Sequence, residues 1–153
     1  MFHKSLSKPL CFSFDVPESW AWEWKRRDIQ IILIELIAPG MALYNWRMFL
    51  KGRTVILFND STSAESILVK GYSNSAWDAN GITAEFWCLA AELEICVYVC
   101  RVPTDINPSD GCSRGTIKED AMRYGWEVCR VELAPLWYSK GPGNRKGVKR
   151  SAP

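Results

Sequence analysis

With 153 residues, 48% of them apolar and 24% charged, the sequence suits one folded α/β domain and excludes both a disordered chain and two ordinary domains. The formal net charge is +2, but the tail from Lys140 to Pro153 carries five basic residues and no acid. The remaining body holds 14 basic and 17 acidic residues, near −3, which excludes a uniformly basic nucleic-acid surface and leaves only local patches or the tail.

The six cysteines form no Cys-x-x-Cys pair and the single histidine is His3, which argues against a zinc site. Cys96 and Cys100 lie too far apart along one strand for a disulfide. With Cys88 they read as buried free thiols of a reducing compartment. Met1 to Phe14 lacks the apolar core of a secretory signal. The longest apolar run, Ile31 to Met41, is broken by Glu35, Pro39 and Gly40 and falls short of the roughly 20 residues a bilayer requires. The expectation is an intracellular protein, cytoplasmic or nuclear, neither secreted nor in a membrane.

In chain order, Leu10 to Val16 reads as a short strand. Pro17 opens a helical turn, PESWAWEW, since Pro suits a first helical position. Three tryptophans crowd here, Trp20, Trp22 and Trp24, as an amphipathic cover or a base-stacking platform. Lys25 to Asp28 is a polar connection. Ile29 to Leu50 reads as a helix with Ile37, Met41, Tyr44 and Met48 on one face, distorted by Pro39 and Gly40 and capped by Gly52. Arg53 to Phe58 is an apolar strand, and Ser61 to Lys70 a helix closed by Gly71. A polar loop, SNSAWDANG, separates it from a helix over Thr83 to Leu93, with Phe86, Leu89, Ala90 and Leu93 on one side.

Glu94 to Val102 is a strand apolar on both faces, the mark of cover by helices on both sides. Pro103 to Gly115 has turn chemistry throughout, and Thr116 to Val128 reads as a last helix. The divisions expected are 10–115 as the core domain, 116–139 as a helical extension and 140–153 as a basic tail. The alternation of strands and helices predicts an α/β domain with parallel pairs.

Three acids stand at element ends: Glu35 on the first long helix, Asp60 just past the strand ending at Phe58, and Asp110 in the last polar loop. Open α/β sheets place their sites outside the carboxyl ends of strands. Carboxylates gathered there repel, and Mg²⁺ or Mn²⁺ relieves the repulsion. Two such ions would suit phosphodiester cleavage. On spacing alone, Asp60 equally suits a helix N-cap.

Four segments, taken together, resemble the ribonuclease-H-like domain that follows reverse transcriptase in retroelements of the DIRS type. They are FSFDVPESW, IQIILIELIAPGMALYNW, LKGRTVILFNDSTSAESILVKGYS and AAELEICVYVCRVPTDINPSDGCSRG. Their order and spacing agree with the family over Leu10 to Gly115. The resemblance implies a mixed sheet with helices on both faces. It implies a site in which Glu35, Asp60 and Asp110 are catalytic metal ligands for Mg²⁺ or Mn²⁺. Contacts to an RNA–DNA hybrid would come from Ser61, Thr62, Lys70, Arg101, Asn107 and Arg114.

Ser61, Thr104 and Ser109 depart from the family's Asn, Ser and Ala. The family's first-strand aspartate, which bridges both metals, has no counterpart. Asp15 is rejected, because too few residues separate it from Glu35 to hold two further strands. The first strands are therefore expected to be missing, with an upstream reverse transcriptase segment as the partner that would supply them. The rival expectation is a non-catalytic α/β module that binds nucleic acid or protein.

Overall fold

The structure, a computed structural model, describes residues 1–18 and 30–132. The tryptophan-rich turn beyond Glu18, the connection 25–28 and everything after residue 132, including the basic tail, lie outside the described residues.

The chain is mixed α/β. Strand β1 is Leu10–Cys11, and helix α1 is Gln30–Asn45. A short α2, Arg47–Leu50, precedes strand β2, Thr54–Asn59. Helices α3, Thr62–Lys70, and α4, Trp77–Glu92, lead to β3, Cys96–Arg101. After a 3-10 turn at Thr104–Ile106 come α5, Asp110–Ser113, α6, Ile117–Tyr124, and β4, Glu127–Val128.

Strands β2 and β3 pair in parallel from Thr54↔Cys96 to Asn59↔Arg101. Parallel strands need a long crossover, supplied here by α3 and α4. One face of this pair, through Val55, Leu57, Val97 and Val99, packs on the core formed with α1, α3 and α4. The fully buried side chains include Leu33, Leu36, Ile37 and Met41 of α1 and Phe86 of α4. On α4 the buried positions Ala79, Thr83, Phe86 and Ala90 recur at steps of four, three and four, one side of a 3.6-residue period.

The expectation of helices on both faces is corrected. Among the described residues the helices cover one face, and the other presents Ile56, Phe58 and Tyr98, each about 60% exposed (60%, 62% and 59%). Cys96 and Cys88 are likewise exposed, and Cys100 is half-buried, so the reading of these thiols as core is overturned. The single mixed sheet is also replaced, by two separate two-stranded parallel pairs.

Local chemistry explains the other differences. The long first helix divides at Trp46 into α1 and α2, which leaves Met48 86% exposed rather than on the apolar face. Helix α4 starts six residues before Thr83, inside the expected loop. Ser73 and Asn80 build that start: Asn80 accepts from the Ser73 amide and donates back to the Ser73 carbonyl, and Ser73 Oγ accepts from the Ala76 amide. The last helix stops at Tyr124, because Gly125 takes a left-handed φ of 69°, the usual glycine C-terminal signal.

The segment after that glycine is not an appended helix. Strand β4 pairs in parallel with β1, Leu10↔Glu127 and Cys11↔Val128. Cys11, Ile117 and Ala121 form a second small core, flanked by Cys112 and Trp126. No helix among the described residues is long and apolar enough to cross a membrane.

Candidate functional site

The carboxyl ends of β2 and β3 carry the residues of interest. At the end of β2, Asn59 is buried and its Oδ1 accepts from the Ser61 amide at 2.8 Å. Ser61 Oγ then accepts from the Ala64 amide at 3.3 Å. Ser61 is thus the N-cap of α3, and the alternative role of Asp60 as that cap is not taken. Asp60 is held between two side-chain-locked residues, on the turn from strand to helix.

The loop after β3 is ordered the same way. Asn107 Oδ1 accepts from the Ser109 amide at 3.1 Å and from Ser109 Oγ at 2.7 Å. That turn delivers Asp110 as the first residue of α5. One helical turn later, Arg114 Nε lies 2.7 Å from Asp110 Oδ2. Helix α5 is clamped to α6 by Thr116, whose hydroxyl donates to Asp120 Oδ2 at 2.8 Å and lies 3.2 Å from the Gly111 carbonyl oxygen. Gly111 permits the close approach, since a Cβ there would stand 1.7 Å from Asp120 Oδ2.

Glu35 projects from α1, half-buried. Burial pushes its carboxyl above the ordinary glutamate range, and the negative charges of Asp60 and Asp110 push it further. Acids from three distant segments therefore share one electrostatic neighbourhood. The helix is also weakened there. Pro39 lies inside α1 and lacks the N–H that would bond the Glu35 carbonyl four residues back.

The carboxylate oxygens are donors of the kind Mg²⁺ and Mn²⁺ take. Their arrangement is not a ligand set. Among the described residues, no group of three or more His, Cys, Asp or Glu side chains lies close enough to hold a metal ion, and Asp110 is engaged by Arg114.

The expected nucleic-acid contacts are scattered. Thr62 and Arg101 hydrogen-bond to each other, and Arg101 is also 3.9 Å from Glu65. Lys70 is exposed at the far end of α3 from Ser61, about 13 Å along the axis at 1.5 Å per residue. Asn107 builds its turn, and Arg114 is the exposed partner of Asp110.

Two groupings had no counterpart in the sequence reading. One is the Arg114–Asp110 pair, whose i,i+4 spacing matters only once α5 exists. The other is the gathering of Cys11, Cys112 and Cys129. Burial is the leading cause that raises the Cys11 and Cys112 thiols, Cys112 up to about 11.

No protein-family model, no curated protein and no solved structure matches the chain.

Proposed function

We propose that this chain is a ribonuclease-H-like domain of retroelement origin. Its ancestor cleaved the RNA strand of RNA–DNA hybrids with Mg²⁺ or Mn²⁺, and the chain by itself is catalytically inactive. One observation supports the reading above others. Glu35, Asp60 and Asp110, singled out from three separate motifs, are near enough in space for two of them to raise the carboxyl of the third. The position of Asp60 at the carboxyl end of a parallel strand agrees with where α/β folds place their sites.

The inactivity follows from the donor set. Two-metal hydrolysis needs carboxylates that fix both ions and orient the attacking water. The sequence offers three of the four acids that the resemblance implies. Those three do not close on an ion, one is held by an arginine, and the helix carrying Glu35 lacks a hydrogen bond beside it. Displacements of about 1 Å in a catalytic site can cost about 100-fold in rate. The test is a hybrid-cleavage assay on purified protein with Mg²⁺ or Mn²⁺, with Asp60→Asn as control. No turnover is expected, and robust turnover abolished by that substitution would overturn the inactivity. An in-frame upstream strand carrying an aspartate, preceded by a reverse transcriptase, is the expected genomic context.

The second reading, a non-catalytic module that binds a protein, is favoured by one feature, the open face carrying Ile56, Phe58 and Tyr98. Exposed apolar patches of this kind mark interaction surfaces. Hybrid binding measured by fluorescence anisotropy separates the two readings. Salt-sensitive binding weakened by Arg101→Gln favours the first, and no binding to any nucleic acid favours the second.

A further inference from the structure

We propose that Cys11 and Cys112 are a latent disulfide pair, a modification site at which a small-molecule disulfide oxidant couples strand β1 to helix α5. The two thiols come from distant segments and meet in the second small core. There Cys11 is 6% exposed, and half-buried Cys112 packs against the cluster that Cys11 forms with Ile117 and Ala121. Helix α5 is seated on α6 by the Thr116–Asp120 hydrogen bond, and α6 carries Ile117 and Ala121. The packing that builds this core therefore also delivers Cys112 to it.

The fold selects this pair over the neighbouring thiol of Cys129. The Sγ atoms of Cys11 and Cys129 lie 3.6 Å and 3.9 Å from the same Glu127 carbonyl oxygen. Cys11, however, stands opposite Val128 in the β1–β4 register. The ladder continues one residue further, where the Cys129 amide donates to the Cys11 carbonyl at 2.8 Å. Successive residues of a strand point to opposite faces, so Cys129 faces away from the core that holds Cys11 and Cys112.

With glutathione disulfide as the oxidant, the steps balance as thiol–disulfide exchange. Cys112, the more accessible of the two, loses its proton, attacks one sulfur of the oxidant and expels one glutathione thiol. Cys11 then loses its proton, attacks the Cys112 sulfur of the mixed disulfide and expels the second. Two protein thiols are oxidised to one disulfide, and one glutathione disulfide is reduced to two thiols. Burial first, and then the neighbouring Cys11, push the Cys112 thiol up to about 11, so little thiolate exists near neutral pH. The bond therefore forms slowly and under sustained oxidation. Once formed, it closes a loop from residue 11 to residue 112, which in the chain-entropy account restricts the unfolded state.

The test incubates the full chain with glutathione disulfide between pH 7 and pH 9. Mass spectrometry of a non-reducing digest maps the linked cysteines, and melting temperature is read with and without dithiothreitol. A Cys11–Cys112 cross-link is expected, forming about tenfold faster per pH unit with no plateau by pH 9. The melting temperature should rise by about 5 °C or more, reversibly with dithiothreitol. Cys112→Ser and Cys11→Ala should each lose the cross-link and the shift, and Cys129→Ser should keep both. If Cys11→Ala fails to fold, Cys112→Ser and the wild-type digest still decide. A cross-link from Cys11 to Cys129 would overturn the proposal. So would Cys11 and Cys112 left free once exposed Cys88 and Cys96 have taken up glutathione.

Discussion

Thr83 is fully buried on α4, and its hydroxyl has no hydrogen-bond partner among the described residues. A buried unsatisfied hydroxyl costs about 1–3 kcal/mol. Thr83→Val keeps the shape and removes the polar atom, so it is expected to stabilise the chain by about 1 kcal/mol. Urea denaturation measures this, and a loss of stability would show that the hydroxyl is satisfied.

Glu35 gives a pH dependence whose sign is fixed. Burial first, then Asp60 and Asp110, hold its carboxyl above the ordinary range. The folded state therefore keeps this proton longer than the unfolded state does. For this group, stability is greatest below the ordinary glutamate range and falls as pH rises through the window up to the raised value. Glu35→Gln removes that dependence. The variant is expected to melt higher than wild type near neutral pH, with the gap closing at acid pH. A constant gap at all pH values would mean that packing, rather than charge, separates them.

At this scale the placement of Glu35 on the first long helix and of Asp60 just past a strand was legible, whereas the partner of Asp110 was not. The resemblance gives Arg114 to an RNA–DNA hybrid, and only the short helix inside an apparent loop turns it back onto the carboxylate.

Among the elements, β2 and β3 were legible because apolar β-branched runs bounded by polar turns have few alternatives. The pairing of β1 with β4 was illegible. Each strand is two residues long, and 117 positions (127 − 10) separate the partners Leu10 and Glu127, so no local period carries the signal. The sequence pattern starts helix α4 too late because Asn and Gly usually mark loops, while Ser73 and Asn80 here spend their side chains on starting the helix.

The α5–α6 clamp yields an element-scale prediction. A methyl at position 111 would meet Asp120 Oδ2 at 1.7 Å, so Gly111→Ala must push that carboxylate off the Thr116 hydroxyl. The expected loss is about 1 kcal/mol, the net worth of one side-chain hydrogen bond. With Asp120→Ala in the background, the same change should cost much less, because neighbouring substitutions do not add. Equal costs in both backgrounds would show that the clash is taken up elsewhere.

For the whole molecule, the uncovered face of the β2–β3 pair has the largest physical consequence. Parallel strands are ordinarily covered on both sides, and a two-stranded pair is marginal unless it packs against other elements. Here one face has that support and the other offers Ile56, Phe58 and Tyr98 to water, side by side because Ile56 pairs with Tyr98 in register. The continuous apolar pattern of the strands predicts cover on both faces, and among the described residues only one face has it. What covers the second face is not something a strand's own residues encode. An exposed patch of this kind favours association between chains. The purified chain is therefore expected to bind a hydrophobic dye and to self-associate as concentration rises. Ile56→Lys with Phe58→Thr should suppress both while leaving the melting temperature nearly unchanged, since neither side chain contributes to the core on the opposite face. Dye fluorescence and sedimentation velocity measure the outcome. A large drop in melting temperature for the double variant would mean that this face is packed, and the one-sided architecture described here would be wrong.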